Sequence, residues 1–373
     1  MLIKTITCHD VYNCGASLQA YALQEYLTQQ GHQVEIIDYK PAYLSGHYKL
    51  GSIANSKYDR PILRTAYLAA KLPGRLLALR RKRLFDKFTA DYLHLTHKRY
   101  TSHEILASDP PYADVYLAGR DQIWNPLFPN GKDPAFFLDF APISSIRASY
   151  AASFATNEID EAIQPWLKAQ LARLDRISVR EPSSLPLLRR LGYPEAQAVC
   201  DPVFLLMPEH WNQLLPPQPH KDEPCIFVCD FDRSHDIYAL ALQAAQQINA
   251  HILYLGTPYR RHPLIHNISL STGPLEFLQR IRDANFVISN SFHATAFAIL
   301  FAKPFCTINR TSNINIRMEN LLSDTNLKAR HTTTWNANLL RHEDVEEAHS
   351  SYRTVIKESQ AFLSDLLGIQ GRN

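Results

Sequence analysis

Residues 286–305, FVISNSFHATAFAILFAKPF, contain the strand-to-helix crossing around which we interpret the chain. Residues 286–288 are β-branched or aromatic, which predicts a strand at 286–289, and the apolar helix formers at 294–302 are ended by Lys303-Pro304. Asn290, Ser291 and His293 therefore lie between the carboxyl end of a strand and the amino end of a helix. Open α/β sheets bind ligands at this edge, and the free N–H groups at a helix start favour an anion.

A histidine at such a crossing can donate a hydrogen bond to an anion and can move a proton near neutral pH. The ordinary alternative is that Asn290 or Ser291 caps the helix and that the ring of His293 is satisfied by the backbone. The spacing of these residues does not separate the two interpretations.

The composition limits the class of protein. A chain of 373 residues with 46% apolar residues is too long for one ordinary core and can bury two. The six cysteines form no C-x-x-C pair and no zinc-type spacing, so we expect packing residues in a reducing compartment and no metal site. Neither a G-x-G-x-x-G nor a P-loop motif occurs, and we expect no cofactor.

We expect a cytoplasmic protein. The N-terminus enters a strand-like run without the features of a signal peptide, and no apolar run is long enough to cross a bilayer. The net charge is +3, yet residues 71–100 hold nine basic residues against two acidic ones. Their spacing predicts a basic amphipathic helix, either an ordinary solvated helix or one that contacts the inner face of a membrane. No nucleic-acid-binding module accompanies the charge, so we predict no nucleic-acid partner.

The N-terminal residues predict a βαβ unit. A strand at residues 2–7 is followed by the polar crossing 9–17, by a helix that Gly31 ends, and by a strand at 34–38. The crossing is a second candidate site, because it places small polar groups and a permissive glycine at a helix start. A turn with a helix cap is the alternative. The candidate residues are Asn13, Gly15 and Ser17.

Two further strand ends carry polar side chains. The strand at 114–118 runs into Arg120, Asp121, Gln122, Trp124 and Asn125, a set that suits sugar hydroxyls, although Trp124 can also be a core residue. Arg180 is the last residue of the predicted strand at 176–180. It can bind a carboxylate or phosphate with two hydrogen bonds, or simply pair with Glu181 or a buried acid.

A Pro-rich stretch divides the chain into two α/β patterns. We predict an N-terminal α/β domain at 1–214 with a basic helical insertion at about 61–100, a linker at 215–224, a C-terminal α/β domain at 225–345 and a C-terminal helix at 346–373. The predicted architecture is two Rossmann-like, doubly wound α/β domains that face a cleft.

Six motifs in the same order resemble the polysaccharide pyruvyl transferase family and together span about residues 3 to 320. They are YNCGASLQAYALQ at 12–24, GRDQIWN at 119–125, YAASF at 150–154, ISVRE at 177–181, Asp201-Pro202, and SNSFHA at 289–294. The resemblance implies a GT-B-like fold and the transfer of an enolpyruvyl group from phosphoenolpyruvate to a sugar diol, which gives a pyruvate ketal in polysaccharide biosynthesis. This chain departs from the family pattern at one place. Several members have Arg-Leu-His where this chain has Ser291-Phe292-His293, and that arginine is associated with the donor.

From this resemblance we predict that His293 is a general acid and Asp121 the base that takes a proton from the acceptor hydroxyl. The predicted donor-binding residues are Arg180, Asn290, Ser291 and Arg317. The predicted acceptor-binding residues are Asn13, Gly15, Ser17, Gln19, Arg120, Gln122, Trp124 and Asn125. The expected partners are phosphoenolpyruvate and a glycan or lipid-linked saccharide. Two alternatives stay open, a GT-B glycosyltransferase that uses a nucleotide sugar and a catalytically silent glycan-binding protein.

Overall fold

The computed structural model describes residues 1–45, 61–119, 122–156, 158–218, 223–311 and 315–368. In this part of the chain, two five-stranded parallel sheets have the same strand order, in which the first strand of each sheet is central. The first sheet has the order β3-β2-β1-β4-β5, and the second has the order β10-β9-β8-β11-β12. A short parallel pair, β6-β7, continues beside β5.

The strands of the first sheet and of the short pair are β1 (Leu2–Ile6), β2 (Gln33–Tyr39), β3 (Leu95–Tyr100), β4 (Val115–Gly119), β5 (Ile146–Tyr150), β6 (Ser178–Val179) and β7 (Gln197–Ala198). The strands of the second sheet are β8 (Cys225–Asp230), β9 (His251–Gly256), β10 (Ile265–Ser269), β11 (Phe286–Ser289) and β12 (Phe305–Thr307). Strands β4, β8 and β11 are buried throughout because helices cover both faces of a parallel sheet.

The helices begin with α1 (Cys14–Gln29), α2 (Ala42–Ser45), α3 (Pro61–Tyr92), α4 (His103–Ser108), α5 (Gln164–Leu171) and α6 (Leu185–Arg190). They continue with α7 (Pro208–Gln213), α8 (His235–Gln247), α9 (Pro274–Asp283), α10 (Phe292–Leu300), α11 (Ile316–Asp324) and α12 (Glu343–Gly368). The predicted strand-to-helix crossing at 286–305 is present as β11 and α10.

The structure corrects one part of the predicted basic insertion at about 61–100. The long helix α3 ends at Tyr92, and residues 95–100 form β3 at the edge of the first sheet. Three consecutive exposed residues in this strand, His97 to Arg99, obscured its alternation. Arg99 lies opposite Asp38 of β2, and its Nε donates to Asp38 Oδ2 at 2.8 Å, so tertiary pairing decides the conformation here.

One apolar core joins the two halves of the chain, beside a separate buried cluster in each half. It contains Leu23 of α1, Phe277 of α9 and Phe297 of α10. The C-terminal helix α12 completes it, because Tyr352 packs on Phe204 with ring centroids 5.0 Å apart. Helix α12 therefore extends from the second half back onto the first. Part of the predicted linker, residues 219–222, and the end of the predicted C-terminal helix, residues 369–373, lie outside the described residues.

Candidate active site

Strands β8 and β11 are neighbours in the sheet although two other strands, β9 and β10, separate them in sequence, so their carboxyl ends form a topological switch point. Asn290 follows β11 and joins the two ends. Its Oδ1 accepts from the backbone N–H of Phe231 at 3.0 Å, and its Nδ2 donates to Asp230 Oδ1 at 3.3 Å. Ser291 then caps α10, since its Oγ accepts from the N–H of Ala294 at 3.4 Å. These two side chains hold His293 in the first turn of α10.

His293 lies against the start of α1, which belongs to the other half of the chain. A Cβ atom on residue 15 would lie 1.9 Å from His293 Nδ1, so only glycine allows this approach. Asn13 caps α1, because its Oδ1 accepts from the N–H groups of Gly15 at 2.9 Å and Ala16 at 3.3 Å. The two predicted crossings, 9–17 and 289–294, therefore meet at one place.

A buried carboxylate lies behind the imidazole. His293 Nε2 is 3.8 Å from Asp201 Oδ2, with the two side chains only 8% and 1% exposed. This distance is that of an ion pair and is too long for a hydrogen bond. Asp201 Oδ2 also accepts from Arg180 at 2.9 Å and from Gln19 Nε2. Gln19, predicted to bind the acceptor, thus contacts the carboxylate that faces the histidine.

The guanidinium of Arg180 is engaged behind the cavity. It pairs with Asp201 and with Glu181, whose Oε1 is 3.1 Å from Arg180 Nε, and the side chain is 3% exposed. Its Cζ lies 4.7 Å from the centroid of the Phe292 ring. Arg180 is absent from the residues that line the cavity described next, and its contacts are those of the alternative interpretation, pairing with Glu181 and a buried acid.

A cavity of about 90 Å³ opens in front of His293. Its cations are Arg310 and Arg317, and its polar wall is the start of α10. Arg317, on α11, also contacts Phe292, with its Cζ 5.7 Å from the ring centroid. Arg310 pairs with Asp232 at 3.1 Å and is 31% exposed. The lining residues are Asn13, Gln122, Phe231, Asn290, Ser291, Phe292, His293, Ile308, Arg310, Asn315, Arg317 and Met318.

Sequence reasoning missed Arg310 and the role of Asp201. The signal for Arg310 was its position two residues after an apolar strand-like run that ends at Ile308, the same strand-end rule that selected Arg180. No comparable signal pairs Asp201 with His293, because their contact joins residues 92 positions apart through the tertiary fold.

Only some of the predicted acceptor residues lie at the cavity. Asn13, Gly15 and Gln122 lie at the cavity or against its histidine. Ser17 is buried in α1, and Asn125 is a buried turn residue whose Nδ2 donates to Gln122 Oε1 at 2.6 Å. Arg120 and the predicted base Asp121 lie outside the described residues.

Trp124 requires a correction, since the structure places it in a core instead of on a sugar-binding wall. Its indole is 1% exposed, is stacked on Phe137 with ring centroids 5.3 Å apart, and donates from Nε1 to the carbonyl of Phe136 at 3.0 Å. Residues 134–137 form a turn of 3-10 helix that supplies both partners. Burial of a large ring outweighed its proximity in sequence to polar residues.

Among the described residues, no group of three His, Cys, Asp or Glu side chains could hold a metal ion. The same part of the chain contains no helix that is both long and apolar enough to span a membrane.

A family model described as polysaccharide pyruvyl transferase matches residues 13–312. The chain belongs to this family. The match includes the crossing at 13–17, residues 119–125 and His293, whereas Arg317 lies beyond its end. No curated protein matches the chain in sequence.

Several solved structures are similar to this family member along most of its length. A protein described as a UDP-N-acetylglucosamine 2-epimerase from Listeria monocytogenes has a TM-score of 0.54 at 10% identity, covering 98% of this chain and 96% of that one. A UDP-GlcNAc 2-epimerase from Methanocaldococcus jannaschii has a TM-score of 0.46 at 13% identity, with 94% and 92% covered. The glycosyltransferase SnogD from Streptomyces nogalater has a TM-score of 0.44 at 12% identity, with 98% and 99% covered.

The likeness to the Listeria protein and the two parallel sheets confirm the predicted fold class, a two-domain GT-B-like α/β fold. At 10% identity this likeness concerns the fold alone.

Proposed function

We propose that this family member transfers the enolpyruvyl group of phosphoenolpyruvate to two hydroxyls of a glycan and forms a pyruvate ketal. The observation that carries the proposal is the position of His293, which faces a cavity containing Arg310 and Arg317 and is backed by a buried carboxylate. A proton donor beside two cations is the combination that protonation of an anionic enol phosphate requires.

The phosphate group suits the start of α10, where the positive end of the helix and the guanidinium groups of Arg310 and Arg317 meet. In this proposal Arg180 does not bind the donor directly. It pairs with Asp201, the carboxylate that faces His293, and packs on Phe292. In this proposal the C-terminal half is the donor side and the N-terminal half, through Asn13 and Gln122, is the acceptor side.

The reaction needs one proton on carbon and the loss of two hydroxyl protons. His293 delivers its proton to the methylene carbon, which becomes a methyl group, and the adjacent carbon gains oxocarbenium character. The first hydroxyl attacks this carbon and gives its proton to the base, which we propose is Asp121. The C–O bond to phosphate then breaks, phosphate leaves with the bond pair and takes up a proton, and the second hydroxyl closes the ketal with loss of its proton.

His293→Gln tests the proposal. A positioned acid contributes about a hundred- to ten-thousand-fold in rate, so we expect phosphate release from phosphoenolpyruvate in the presence of acceptor to fall by that factor. His97→Gln is the matched control, because His97 is exposed on the edge strand β3. Undiminished turnover by His293→Gln, with both variants folded as judged by circular dichroism, refutes the assignment of the acid.

The second candidate is a glycosyltransferase that uses a nucleotide sugar, because a helix start at a switch point also suits a diphosphate and the fold resembles that of the UDP-GlcNAc 2-epimerases. Incubating acceptor glycans with either phosphoenolpyruvate or a UDP-sugar separates the two. Release of phosphate supports the ketal reaction. Release of UDP with no reaction of phosphoenolpyruvate supports the glycosyltransferase, and binding of glycan without any product supports the silent binding protein.

We further propose that the acceptor is a lipid-linked saccharide and that α3 holds the enzyme at the inner face of the membrane. The support is the charge of residues 71–100, nine basic against two acidic residues. Sedimentation with vesicles that contain anionic lipid is expected to fall when Arg80 and Arg83, both exposed, are changed to Glu. Unchanged sedimentation contradicts the membrane contact and leaves the transfer reaction unaffected.

A further inference from the structure

A second cavity of about 110 Å³ adjoins the first and shares Asn13, Phe231 and Ser291 with it. It lies over the carboxyl ends of β8, β9 and β10, at the edge where parallel sheets bind ligands. Its other lining residues are Cys14, Gly15, Arg81, Leu255, Gly256, Ser269, Leu270, Thr272 and Phe277.

Among the described residues, Arg81 is the one cation in this lining, and it comes from α3, an element that the proposed function uses only for its surface charge. The face of α3 that bears it packs on the second half of the chain. Leu84, one turn later, contacts Gly273, where a Cβ atom would lie 2.9 Å from Leu84 Cβ, and Phe85 is buried. Arg81 is therefore directed toward the space between the halves, and not toward solvent like Arg80 and Arg83.

The guanidinium of Arg81 is only partly engaged. One terminal nitrogen donates to the carbonyl of Tyr12 at 2.7 Å, and the Cζ lies 5.7 Å from the centroid of the Phe85 ring. Its Nε is buried and has no hydrogen-bond partner among the residues that the structure describes, and no acidic side chain there forms a salt bridge with it. A buried guanidinium N–H without an acceptor is costly, and an anionic ligand supplies the acceptor.

The remaining lining favours a carboxylate on a small carbon body over a phosphate. Leu255, Leu270 and Phe277 are apolar, and the hydroxyls of Ser269 and Thr272 bond to each other at 2.8 Å. Cys14 does not add nucleophilic chemistry, because burial raises the pKa of its thiol to about 12. One cation in a largely apolar space suits a singly charged group, whereas Arg310 and Arg317 suit a doubly charged one.

We propose that Arg81 binds the carboxylate of the three-carbon donor, while Arg310 and Arg317 bind its phosphate. The donor then spans the two adjoining cavities and passes Ser291, which carries no charge, and its methylene group faces His293 at their junction. Arg81 becomes a substrate-binding residue that α3 contributes to the site of the other half. This inference rests on the proposed function for the identity of the donor.

The test is calorimetric titration of the full chain with phosphoenolpyruvate and, separately, with inorganic phosphate. Arg81→Gln is expected to weaken phosphoenolpyruvate binding at least tenfold and to leave phosphate binding within about twofold, with Arg81→Lys intermediate for phosphoenolpyruvate. Arg80→Gln and Arg83→Gln, exposed on the same helix, remove the same charge and are expected to change neither affinity.

A bracing role for Arg81 predicts a different pattern. Tyr12, whose carbonyl accepts from Arg81, has φ of 43°, so loss of the hydrogen bond could disturb the loop that leads to Asn13. In that case phosphate and phosphoenolpyruvate lose affinity in parallel, and the inference is refuted. Unchanged phosphoenolpyruvate binding in Arg81→Gln also refutes it.

Pyruvate, a carboxylate without phosphate, separates this inference from the proposed function. Ligand-observed saturation-transfer NMR is expected to detect pyruvate on the wild-type chain and not on Arg81→Gln. If phosphoenolpyruvate fails to bind the wild type but pyruvate binds through Arg81, the carboxylate subsite stands and the proposed donor is wrong. If pyruvate binds both chains equally, the subsite is refuted whatever the donor.

Discussion

Gly15 and His293 come from opposite halves of the chain, and their contact leaves no room for a side chain at position 15. The sequence indicated that both residues lie at strand-to-helix crossings, since both follow short apolar runs and precede helix formers. It could not show that the crossings meet. That contact is produced by the packing of α1 on α9 and the core, which no local pattern encodes.

Gly15→Ala is expected to destabilise the protein by about 1–3 kcal/mol, because the new methyl group overlaps the imidazole ring. The double variant Gly15→Ala/His293→Ala removes the ring and should recover most of this loss, a coupling that urea denaturation of the four proteins measures. Gly368→Ala is the control, since a Cβ atom there meets nothing within 4 Å. Equal destabilisation by Gly15→Ala in both backgrounds contradicts the contact.

Trp124 shows where residue type misleads. An indole beside a carboxylate and two amides suits a sugar, but this indole fills a core and its N–H is used by Phe136. What decides between the two interpretations is that the 3-10 turn at 134–137 packs against the indole. This contact depends on the tertiary fold and is not visible in the local sequence.

Trp124→Phe is expected to lower the free energy of unfolding by about 1–3 kcal/mol, because it removes packed ring atoms and leaves the Phe136 carbonyl without its donor. The KM for the acceptor should stay within about twofold, since the ring does not reach the cavity. Steady-state kinetics on the folded variant check this. A large rise in KM with unchanged stability restores the predicted sugar contact.

At the scale of elements, the strands and helices of the two central crossings follow from hydrophobic pattern alone, whereas β3 does not. Four of its six residues, LTHKRY, are charged or polar, and they lie at a sheet edge, where exposed charges are common. The strand is held by its neighbour. Asp38 of β2 contacts Arg99 at 2.8 Å, His9 at 3.1 Å and Lys40 at 3.5 Å.

This cluster predicts a pH dependence of stability. Burial by itself raises the pKa of Asp38, but the hydrogen bonds from His9 and Arg99 and the charge of Lys40 outweigh it and lower the pKa to about 2. A carboxyl with a lowered pKa in the folded state stabilises the fold above its unfolded pKa of about 4. That contribution is lost as the pH falls from about 4 to 2.

We therefore expect the stability difference between the wild type and Asp38→Asn to shrink by on the order of 1–2 kcal/mol between pH 5 and pH 2. Urea denaturation at a series of pH values measures it, and the comparison with the variant cancels the titration of other acids. A difference that is independent of pH in this range shows that Asp38 does not carry the effect.

At the scale of the whole molecule, α12 links the two halves behind the candidate site. Ser359 Oγ accepts the backbone N–H of Cys200 at 2.8 Å, and Cys200 directly precedes Asp201, the carboxylate that faces His293. The division of the chain into two α/β patterns was readable from the Pro-rich stretch and the repeated strand-helix order. The return of the last helix onto the first half was not readable, because the amphipathic pattern of a helix does not show which surface it packs against.

Ser359→Ala leaves the buried N–H of Cys200 without an acceptor and is expected to lower the free energy of unfolding by about 1–3 kcal/mol. Because one core runs through both halves, calorimetry should show a single transition that moves to lower temperature as a unit. Ser364→Ala, exposed on the same helix, is the matched control and should leave the transition in place. Two separate transitions, of which only one responds to Ser359→Ala, would mean that the halves unfold independently and that α12 stabilises one of them alone.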